Sequence, residues 1–452
     1  MTLETRSLSI LPRALEILES SFHGLPLFEP SVNIEKLETV LLEVADRMKD
    51  NYPYPHPQYI GQMLKPPHPV ARLAYTLSLW INPNNHALDG GRASSAMEKE
   101  AVARIGEMFG WKECLGHLCS GGTMANLEAL WISKRLKPGS KIVASSQAHY
   151  THSRICSVLE IPFDSIPTDC NAKMDLESLE KALESENIGT VVVTMGTTAT
   201  GSFDPLPSIL ELRKNYGFRI HADAAYGGYF TLANNLGQQT RDILNHVNQV
   251  DSIVVDPHKH GLQPYGCGCV LFRDPTVGIH YKHDSPYTYF TSDELHLGEI
   301  SLECSRPGSS AVALWATQKL LPLEQNGEFA RGLETIRETA LALFDFLVNE
   351  SRFVTALAPE LDILIWGLNG KRASEISSYS NDFFELTAER GLHIAKANLP
   401  RSILEPHWPD IVWDQDTVTC LRSCIMKPEV TGWIDDIKRI MIEAADAALA
   451  KR

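Results

Sequence analysis

The stretch Ser252-Ile-Val-Val-Asp-Pro-His-Lys-His260 begins as a strand pattern and ends in a polar turn that carries one lysine, Lys259. β-Branched residues bounded by a proline and a glycine are typical of a buried strand. Lys259 is therefore expected at a strand's carboxyl end, where open α/β sheets bind their ligands. Burial disfavours a charged ammonium group, so a lysine in such a place can act as a nucleophile toward a carbonyl. A solvated loop lysine is the alternative interpretation.

Short apolar runs alternate with helical patterns through the middle of the chain. This alternation predicts an α/β fold with a large, mostly parallel sheet covered on both faces. Helical patterns lie at Leu176–Glu186 and Leu206–Tyr216. The predicted strands are Lys141–Ala144, Thr190–Thr194, Arg219–Ala222, Ser252–Val255 and Cys269–Phe272.

A chain of 452 residues exceeds one hydrophobic core, so we expect three parts. Residues 1–69 are predicted to form amphipathic helices followed by a proline-rich extended arm, and the arm either packs on another part or is a surface linker. Residues 70–328 are predicted to form the large domain. Residues 329–452 are predicted to form a small C-terminal α/β domain.

Several helices and two further strands are predicted outside the central runs. The helix expected near Ser95 to Phe109 begins with a serine, which is a favourable helix cap. The other predicted helices are Val70–Trp80, Met124–Lys134, Ala311–Leu320, Phe329–Val348 and Ala373–Arg390, and the strands are Leu361–Trp366 and Val418–Ile425.

Composition argues against several classes of partner. The net charge is −15 and there is no run of basic residues, so nucleic acid and anionic membranes are not expected partners. Nine cysteines without CxxC pairs fit reduced thiols in a cytoplasmic protein. The first twenty residues lack the continuous apolar core of a signal peptide, and no stretch is long enough to span a membrane.

The segment Ser120-Gly-Gly-Thr123 lies between a predicted strand and a predicted helix. A Gly-Gly turn lets backbone amides converge, and a helix N-terminus presents unpaired N–H groups to an anion. Gly122 and Thr123 are therefore candidates for binding a phosphate. An ordinary turn and helix cap is the alternative interpretation.

Polar side chains follow the predicted strands: His149, Thr198, Asp223 and Lys259. Pyridoxal phosphate (PLP) requires a lysine for its Schiff base, an anion near its ring nitrogen, a flat partner for the ring and a phosphate cradle. Asp223 can keep the ring nitrogen protonated, and the small side chain of Ala225 lets a ring lie close to the backbone. The set predicts a PLP site.

In order and spacing, these pieces resemble the group II PLP-dependent amino-acid decarboxylases, which act on glutamate, tyrosine, aromatic amino acids and diaminobutyrate. The resemblance implies fold type I, the aspartate-aminotransferase-like fold, in a homodimer with active sites at the subunit interface. The motifs are Ser120-Gly-Gly-Thr-Met-Ala-Asn126, Gln147-Ala-His149, Gly196-Thr-Thr198, Ser202-Phe-Asp204, His221-Ala-Asp-Ala-Ala-Tyr-Gly227 and Asp256-Pro-His-Lys259.

The resemblance also implies a role for each matching residue. Lys259 would hold the cofactor and Asp223 would contact its ring nitrogen. His149 would stack on one face of the ring, and Ala225 would cover the other. The remaining cofactor contacts implied are Gly122, Thr123, Thr198 and His258, with Ser305 reaching the phosphate from the neighbouring subunit.

The implied reaction converts an L-amino acid to its amine and carbon dioxide. The leaving carboxylate must lie perpendicular to the cofactor ring, and a general acid then returns a proton to the α-carbon. In the family this acid is often a loop tyrosine, so Tyr289 is the expected donor and Tyr287 the other candidate. Phe290 keeps an oxygen-dependent deaminating outcome open.

The substrate stays open at this level. His260 follows the lysine where many relatives have an apolar or aromatic residue, and the arm offers Gln62 and His68, so an aromatic substrate is in doubt. The alternatives to a decarboxylase are a PLP-dependent carbon–carbon lyase and a catalytically silent scaffold of the same fold. A zinc hydrolase lacks an HExxH motif, and no metal site is expected.

Overall fold

The buried strand that precedes Lys259 lies in the middle of a seven-stranded sheet in the computed structural model, which describes residues 3–86, 89–282 and 301–450. The strands of this sheet are β1 (Leu115–Cys119), β2 (Lys141–Ser145), β3 (Phe163–Ile166), β4 (Ile188–Thr194), β5 (Arg219–Asp223), β6 (Ser252–Val255) and β7 (Gly268–Phe272).

The spatial order of the strands is β1-β7-β6-β5-β4-β2-β3. The neighbours from β6 through β3 pair in parallel, whereas β7 runs antiparallel between β6 and β1. The prediction of a mostly parallel sheet is confirmed. Every residue of β4 and β6 is buried, so both faces of these strands are covered, and consecutive apolar residues replace the alternation of a half-exposed strand at Val191–Val193 and Ile253–Val255.

Ten α-helices precede the C-terminal domain in the part of the chain that the structure describes. Short 3₁₀ turns accompany them at Arg6–Ile10, Ser20–Phe22, Gly228–Leu232, Val247–Gln249 and Pro275–His280. The helices are α1 (Leu11–Glu19), α2 (Ile34–Met48), α3 (Pro69–Ser78), α4 (Arg92–Met108), α5 (Gly122–Leu136), α6 (Thr151–Val158), α7 (Leu176–Ser185), α8 (Leu206–Tyr216), α9 (Gln238–Asn245) and α10 (Gly308–Leu320).

Two helix starts differ from the prediction. Helix α4 begins at Arg92, and its N-cap is Gly91, so the predicted serine cap is wrong. Ser94 instead donates a hydrogen bond to the Asn85 side chain at 2.5 Å. Helix α5 begins at Gly122, so this glycine and the next residue belong to the first helical turn rather than to the loop before it.

The C-terminal domain is built on a second, wholly antiparallel sheet of four strands in the order β10-β11-β9-β8. Its helices and strands are α11 (Glu328–Asn349), β8 (Phe353–Thr355), β9 (Ile363–Leu368), α12 (Ala373–Glu389), β10 (Ala395–Pro400), α13 (Arg401–Leu404), β11 (Thr417–Cys424) and α14 (Ile434–Ala450), with 3₁₀ turns at Glu405–His407 and Pro428–Trp433.

The proline-rich arm packs against this small sheet. The Ile60 amide donates to the His393 carbonyl at 2.8 Å, and the Cys424 amide donates to the Ile60 carbonyl at 2.8 Å. Tyr59 is buried as well, and the Lys427 amine donates to its carbonyl at 2.5 Å. The surface-linker interpretation therefore fails for this part of the arm.

Helices α1 and α2 bury none of their residues against the described chain. On α2 the apolar side chains recur at helical spacing, yet Leu37 and Leu41 are 53 % and 63 % exposed. An amphipathic helix gains stability by covering its apolar face. Among the described residues, none buries the apolar face of α2.

No helix among the described residues combines the length and the apolar character needed to cross a lipid bilayer.

Asp204 joins the end of β4 to the loop that precedes α7. The residue is fully buried, and its two carboxylate oxygens accept the backbone amides of Met174 and Thr194, both at 2.8 Å. Burial raises the pKa of Asp204 to about 6 despite these two hydrogen bonds. This carboxylate therefore supports the strand end from which Thr194 and Thr198 approach the central cavity described below.

We predict that Asp204→Ala lowers the free energy of unfolding by about 2–4 kcal/mol, because two buried N–H groups lose their acceptor. Chemical denaturation at pH 7 measures this loss. Glu177→Ala, which removes one exposed ion pair to Lys181, is the control and should leave the denaturation midpoint unchanged.

The pH dependence supplies a second check on Asp204. Its pKa is higher in the folded state than the ordinary value of 3.8, so its contribution favours folding at low pH and is lost as the pH rises from about 4 through about 6. The variant should lack this slope. Equal slopes in the two proteins would contradict the assignment.

Candidate active site

The polar strand ends meet at a cavity of about 370 Å³ bounded by the ends of β4, β5 and β6 and the start of α5. This volume lies within the usual range for small-molecule sites. Eight predicted site residues line it: Gly122, Thr123, His149, Thr198, Asp223, Ala225, His258 and Lys259.

Lys259 faces a carboxylate inside this cavity. Its Nζ lies 3.0 Å from Oδ2 of Asp256, and the Lys259 side chain is 20 % exposed. The amine is therefore paired with a carboxylate rather than surrounded by apolar side chains alone. His258 Nε2 lies 3.5 Å from the same Asp256 oxygen, so Asp256 contacts both the lysine and the histidine.

Asp223 is a buried carboxylate held from two sides. Its Oδ2 lies 2.9 Å from His152 Nε2, and its Oδ1 accepts the Ala225 amide at 3.2 Å. Burial on its own raises the pKa of Asp223, but the hydrogen bond from His152 and the nearby positive charge of Lys259 outweigh it and hold this pKa well below its usual value. Asp223 is therefore ionised at neutral pH.

Behind Asp223, Asn126 is fixed by a buried histidine. His221 Nε2 lies 2.8 Å from Asn126 Oδ1, and the Asn126 amide group donates to the Gly122 carbonyl at 2.9 Å. Burial lowers the pKa of His221 to about 3, so the ring is neutral, and its other nitrogen bonds Ser252 Oγ at 2.8 Å. This chain of bonds ties α5 to β5 and β6.

The functional side chains that sequence reasoning left without a role are Asn126, His152 and Asp256. Asn126 and Asp256 lie within the quoted motifs, so their positions carried a signal. His152 follows His149 by three residues, the spacing that places two side chains on one side of a helical turn. That spacing could have identified it as a partner for a strand-end carboxylate.

His149 and Ala225 both line the cavity, as a flat ring and a small side chain. His149 Nδ1 lies 2.7 Å from Thr151 Oγ1, and burial lowers the pKa of His149, so its ring is held neutral. Their placement on opposite faces of a cofactor ring stays a prediction.

The start of α5 forms a tight cradle beside the lysine. A Cβ built on Gly122 would lie 2.7 Å from Asp256 Oδ2, so only glycine fits at this position. Asp256 Oδ1 is buried and has no hydrogen-bond partner among the described residues. The cradle, the ionised Asp223 and the amine of Lys259 fit the phosphate, ring nitrogen and aldehyde of PLP.

One predicted residue, Ser305, lies away from this cavity, and three others fall outside the described residues. Ser305 is exposed and does not line this cavity; its Oγ accepts a hydrogen bond from Asn84 Nδ2 at 3.2 Å. Its proposed reach into a neighbouring subunit stays a prediction. Tyr287, Tyr289 and Phe290 lie outside the described residues.

His260 does not line the cavity either. Its ring is almost wholly buried and lies 4.6 Å from the ring of Tyr226 and 5.0 Å from that of Phe230. The side chain that follows the lysine therefore gives no direct information about the substrate.

Comparison with known proteins agrees with the geometry. A family model described as the pyridoxal-dependent decarboxylase conserved domain matches residues 33–365. The L-aspartate decarboxylase of Thermococcus kodakarensis is 27 % identical over 355 residues, which cover 74 % of this chain and 90 % of that protein. A probable L-tyrosine/L-aspartate decarboxylase of Methanothermobacter thermautotrophicus is 28 % identical over 360 residues, covering 78 % and 94 %.

Solved structures share the fold at lower identity. Mouse CSAD in its apo form matches with a TM-score of 0.76 at 18 % identity, over 94 % of this chain and 91 % of that one. Oryza sativa TDC with PLP and tryptamine matches with a TM-score of 0.78 at 15 % identity, over 98 % and 99 %. These matches confirm the predicted fold type I architecture.

We predict that Gly122→Ala weakens PLP affinity by at least tenfold, because the new methyl group must displace the Asp256 carboxylate or the helix start. Titration of the apoprotein with PLP, followed by absorbance, measures the effect. Gly237→Ala is the matched control, since this glycine has open space around it and a φ of −60°. Unchanged affinity in Gly122→Ala would remove this turn from the cofactor site.

Proposed function

The chain belongs to the pyridoxal-dependent decarboxylase family, and we propose that it removes the α-carboxylate of an L-amino acid as carbon dioxide at the cavity around Lys259. The observation that carries this proposal is the meeting of an amine, Lys259, and an ionised carboxylate, Asp223, on the walls of one cavity.

The cofactor, when bound, supplies an electron-accepting ring that takes up the electron pair left by the departing carboxylate. Lys259 is the residue that binds the aldehyde carbon. Asp223 holds a proton at the ring nitrogen, which its low pKa allows because the carboxylate stays charged. Gly122 and Thr123 present the amino end of α5 to the phosphate, and His258 and Thr198 line the remaining wall.

Asp256 handles the proton of the lysine in this proposal. The amine must lose a proton before it can act as a nucleophile, and Asp256 Oδ2 at 3.0 Å is placed to accept it. His258 Nδ1 lies 2.7 Å from the Cys267 carbonyl, so that nitrogen carries the proton and Nε2 is left as an acceptor. We therefore assign His258 a supporting role in proton transfer.

The proton donor to the α-carbon is Tyr289 in this proposal, with Tyr287 as the other candidate. The support is the position of these tyrosines in the sequence after β7, together with the family resemblance. Ser305 is proposed to act across a subunit boundary, because in its own chain it is exposed and lies outside the cavity.

The substrate we propose is an acidic L-amino acid, with aspartate first. Arg422 of β11 is buried and donates to the carbonyl of the cavity-lining Thr198 at 3.0 Å, which brings a positive charge to the wall. Its Nε is buried without a hydrogen-bond partner among the described residues. Relatives named for aspartate, or for aspartate and glutamate, agree with this choice.

We also propose a cytoplasmic homodimer. The exposed apolar face of α2 supports the dimer, because a second copy can cover it. All nine cysteines are free thiols, which supports a reducing compartment. The division into 1–69, 70–328 and 329–452 is retained as a proposal.

We predict that borohydride reduction of the wild-type holoenzyme attaches the cofactor at Lys259 and that Lys259→Ala and Lys259→Arg abolish this attachment. The arginine variant keeps a positive charge beside Asp256 but lacks a nucleophilic amine, so it separates covalent chemistry from charge. Peptide mass spectrometry locates the attachment. Attachment at another lysine would refute the assignment.

The same preparation tests the reaction. Carbon dioxide release from aspartate, glutamate, tyrosine and diaminobutyrate should be greatest with aspartate and absent in Lys259→Arg. A wild-type protein that holds the cofactor at Lys259 but releases no carbon dioxide from any amino acid would contradict the proposed reaction.

We predict that the wild-type protein sediments at twice its chain mass of 50.3 kDa and that the double variant Leu37→Asp/Leu41→Asp sediments mainly as a monomer. Two carboxylates on the apolar face of α2 would be buried without partners in a dimer. Thr39→Asp, on the opposite side of the same helix, is the matched control and should stay dimeric. Analytical ultracentrifugation distinguishes these results, and a dimeric double variant would exclude α2 from the interface.

A further inference from the structure

His260 joins the lysine loop to a polar contact between the two domains. It directly follows Lys259, and its ring is enclosed by Tyr226 and Phe230. Only 1 % of the residue is exposed. Because His260 is bonded directly to Lys259, a side chain that fixes the His260 ring also restrains the backbone of Lys259.

Asp362, a residue of the C-terminal domain, contacts the His260 ring. It lies just before β9 and is fully buried. The Tyr226 hydroxyl is 2.9 Å from each of the two carboxylate oxygens of Asp362, and His260 Nε2 lies 3.4 Å from Oδ2. The Ile425 amide donates to the Asp362 carbonyl at 2.8 Å, which anchors the residue beside the end of β11.

Both residues that face Asp362 are next in sequence to cavity residues. Tyr226 follows Ala225 and itself lines the cavity, while His260 follows Lys259. Asp362, from the C-terminal domain, thus contacts the residue after Ala225 and the residue after Lys259.

We propose that Asp362 is a positioning residue that fixes the Lys259 loop and the Ala225 loop relative to each other through His260 and Tyr226. This inference rests on the proposed function, since it concerns how Lys259 and Ala225, two proposed contacts of the cofactor, are held in position relative to each other. Asp362 does not line the cavity, so it acts only through these neighbours.

The surroundings of Asp362 indicate which substitution is conservative. Burial raises the pKa of Asp362 to about 7, and the positive charge of Lys65 opposes this rise. The other titratable groups near it are Tyr226 and His260, with Cys424 and Arg422 beyond them. An asparagine has the same shape as this residue, and its Oδ1 can accept the Tyr226 hydrogen bond.

Asp362→Ala and Asp362→Asn therefore give different expected results. In the alanine variant the buried Tyr226 hydroxyl loses its acceptor and the His260 ring loses a contact, so we expect PLP affinity to fall about tenfold or more. The visible absorbance maximum of the bound cofactor should also shift. The asparagine variant should keep PLP affinity within about threefold of the wild-type value, well under the tenfold loss expected for alanine.

Thr240→Val is the matched control. Thr240 of α9 donates to Glu360 at 2.8 Å, so this variant removes another contact to the segment before β9 without touching the lysine loop. It should lower thermal stability while leaving PLP affinity and absorbance unchanged. Tyr226→Phe, which removes only the hydroxyl, should show part of the loss of PLP affinity expected for Asp362→Ala. The double variant Asp362→Ala/Tyr226→Phe should bind PLP no more weakly than Asp362→Ala alone.

The readouts are PLP titration of each apoprotein, the absorbance spectrum and the thermal midpoint. Wild-type affinity and spectrum in both Asp362→Ala and Tyr226→Phe, with only a lower thermal midpoint as in Thr240→Val, would overturn the inference. If Asp362→Ala does not fold, Tyr226→Phe alone decides. Failure of the proposed function has a different signature, because the wild-type protein would then not attach PLP at Lys259.

Discussion

The site depends on keeping one buried carboxylate charged. Asp223 is nearly inaccessible to water, and desolvation alone would raise its pKa. His152 prevents this with a hydrogen bond of 2.9 Å. Asn126 and His221 brace the same region from α5 and β5. Much of the polar structure beneath the cavity thus serves a single charge, which is the property that an electron-accepting pyridine ring needs beside its nitrogen.

The framework of the fold could be predicted because most strands of the large sheet are buried on both faces and are followed by polar residues. These buried strands are β2, β4, β5, β6 and β7. Eight predicted site residues line one cavity, because the carboxyl ends of parallel strands meet at one edge of the sheet. Short strands such as β3 and β10 were missed because their polar residues break the apolar pattern. The prediction of a serine cap on α4 is wrong because Ser94 donates its hydrogen bond to the Asn85 side chain, which no local pattern indicates.

Side-chain partners far apart in sequence were the harder part. His152 contacts Asp223, and Tyr226 contacts Asp362, only after the chain has folded. The spacing of His152 from His149 indicates a common side of a turn, but it does not indicate which carboxylate His152 contacts. The meaning of His260 changed for this reason. Its position beside the lysine suggested a wall of the substrate pocket, whereas its buried contacts direct it toward the small domain.

The docking of the arm has a consequence for how the protein is made. Ile60 is synthesised long before His393 and Cys424, the residues whose carbonyl and amide groups it bonds. The arm can therefore pack on the small antiparallel sheet only after β10 and β11 have been made. Contacts of such large sequence separation slow folding, and Tyr59 and Ile60 lack these partners until then.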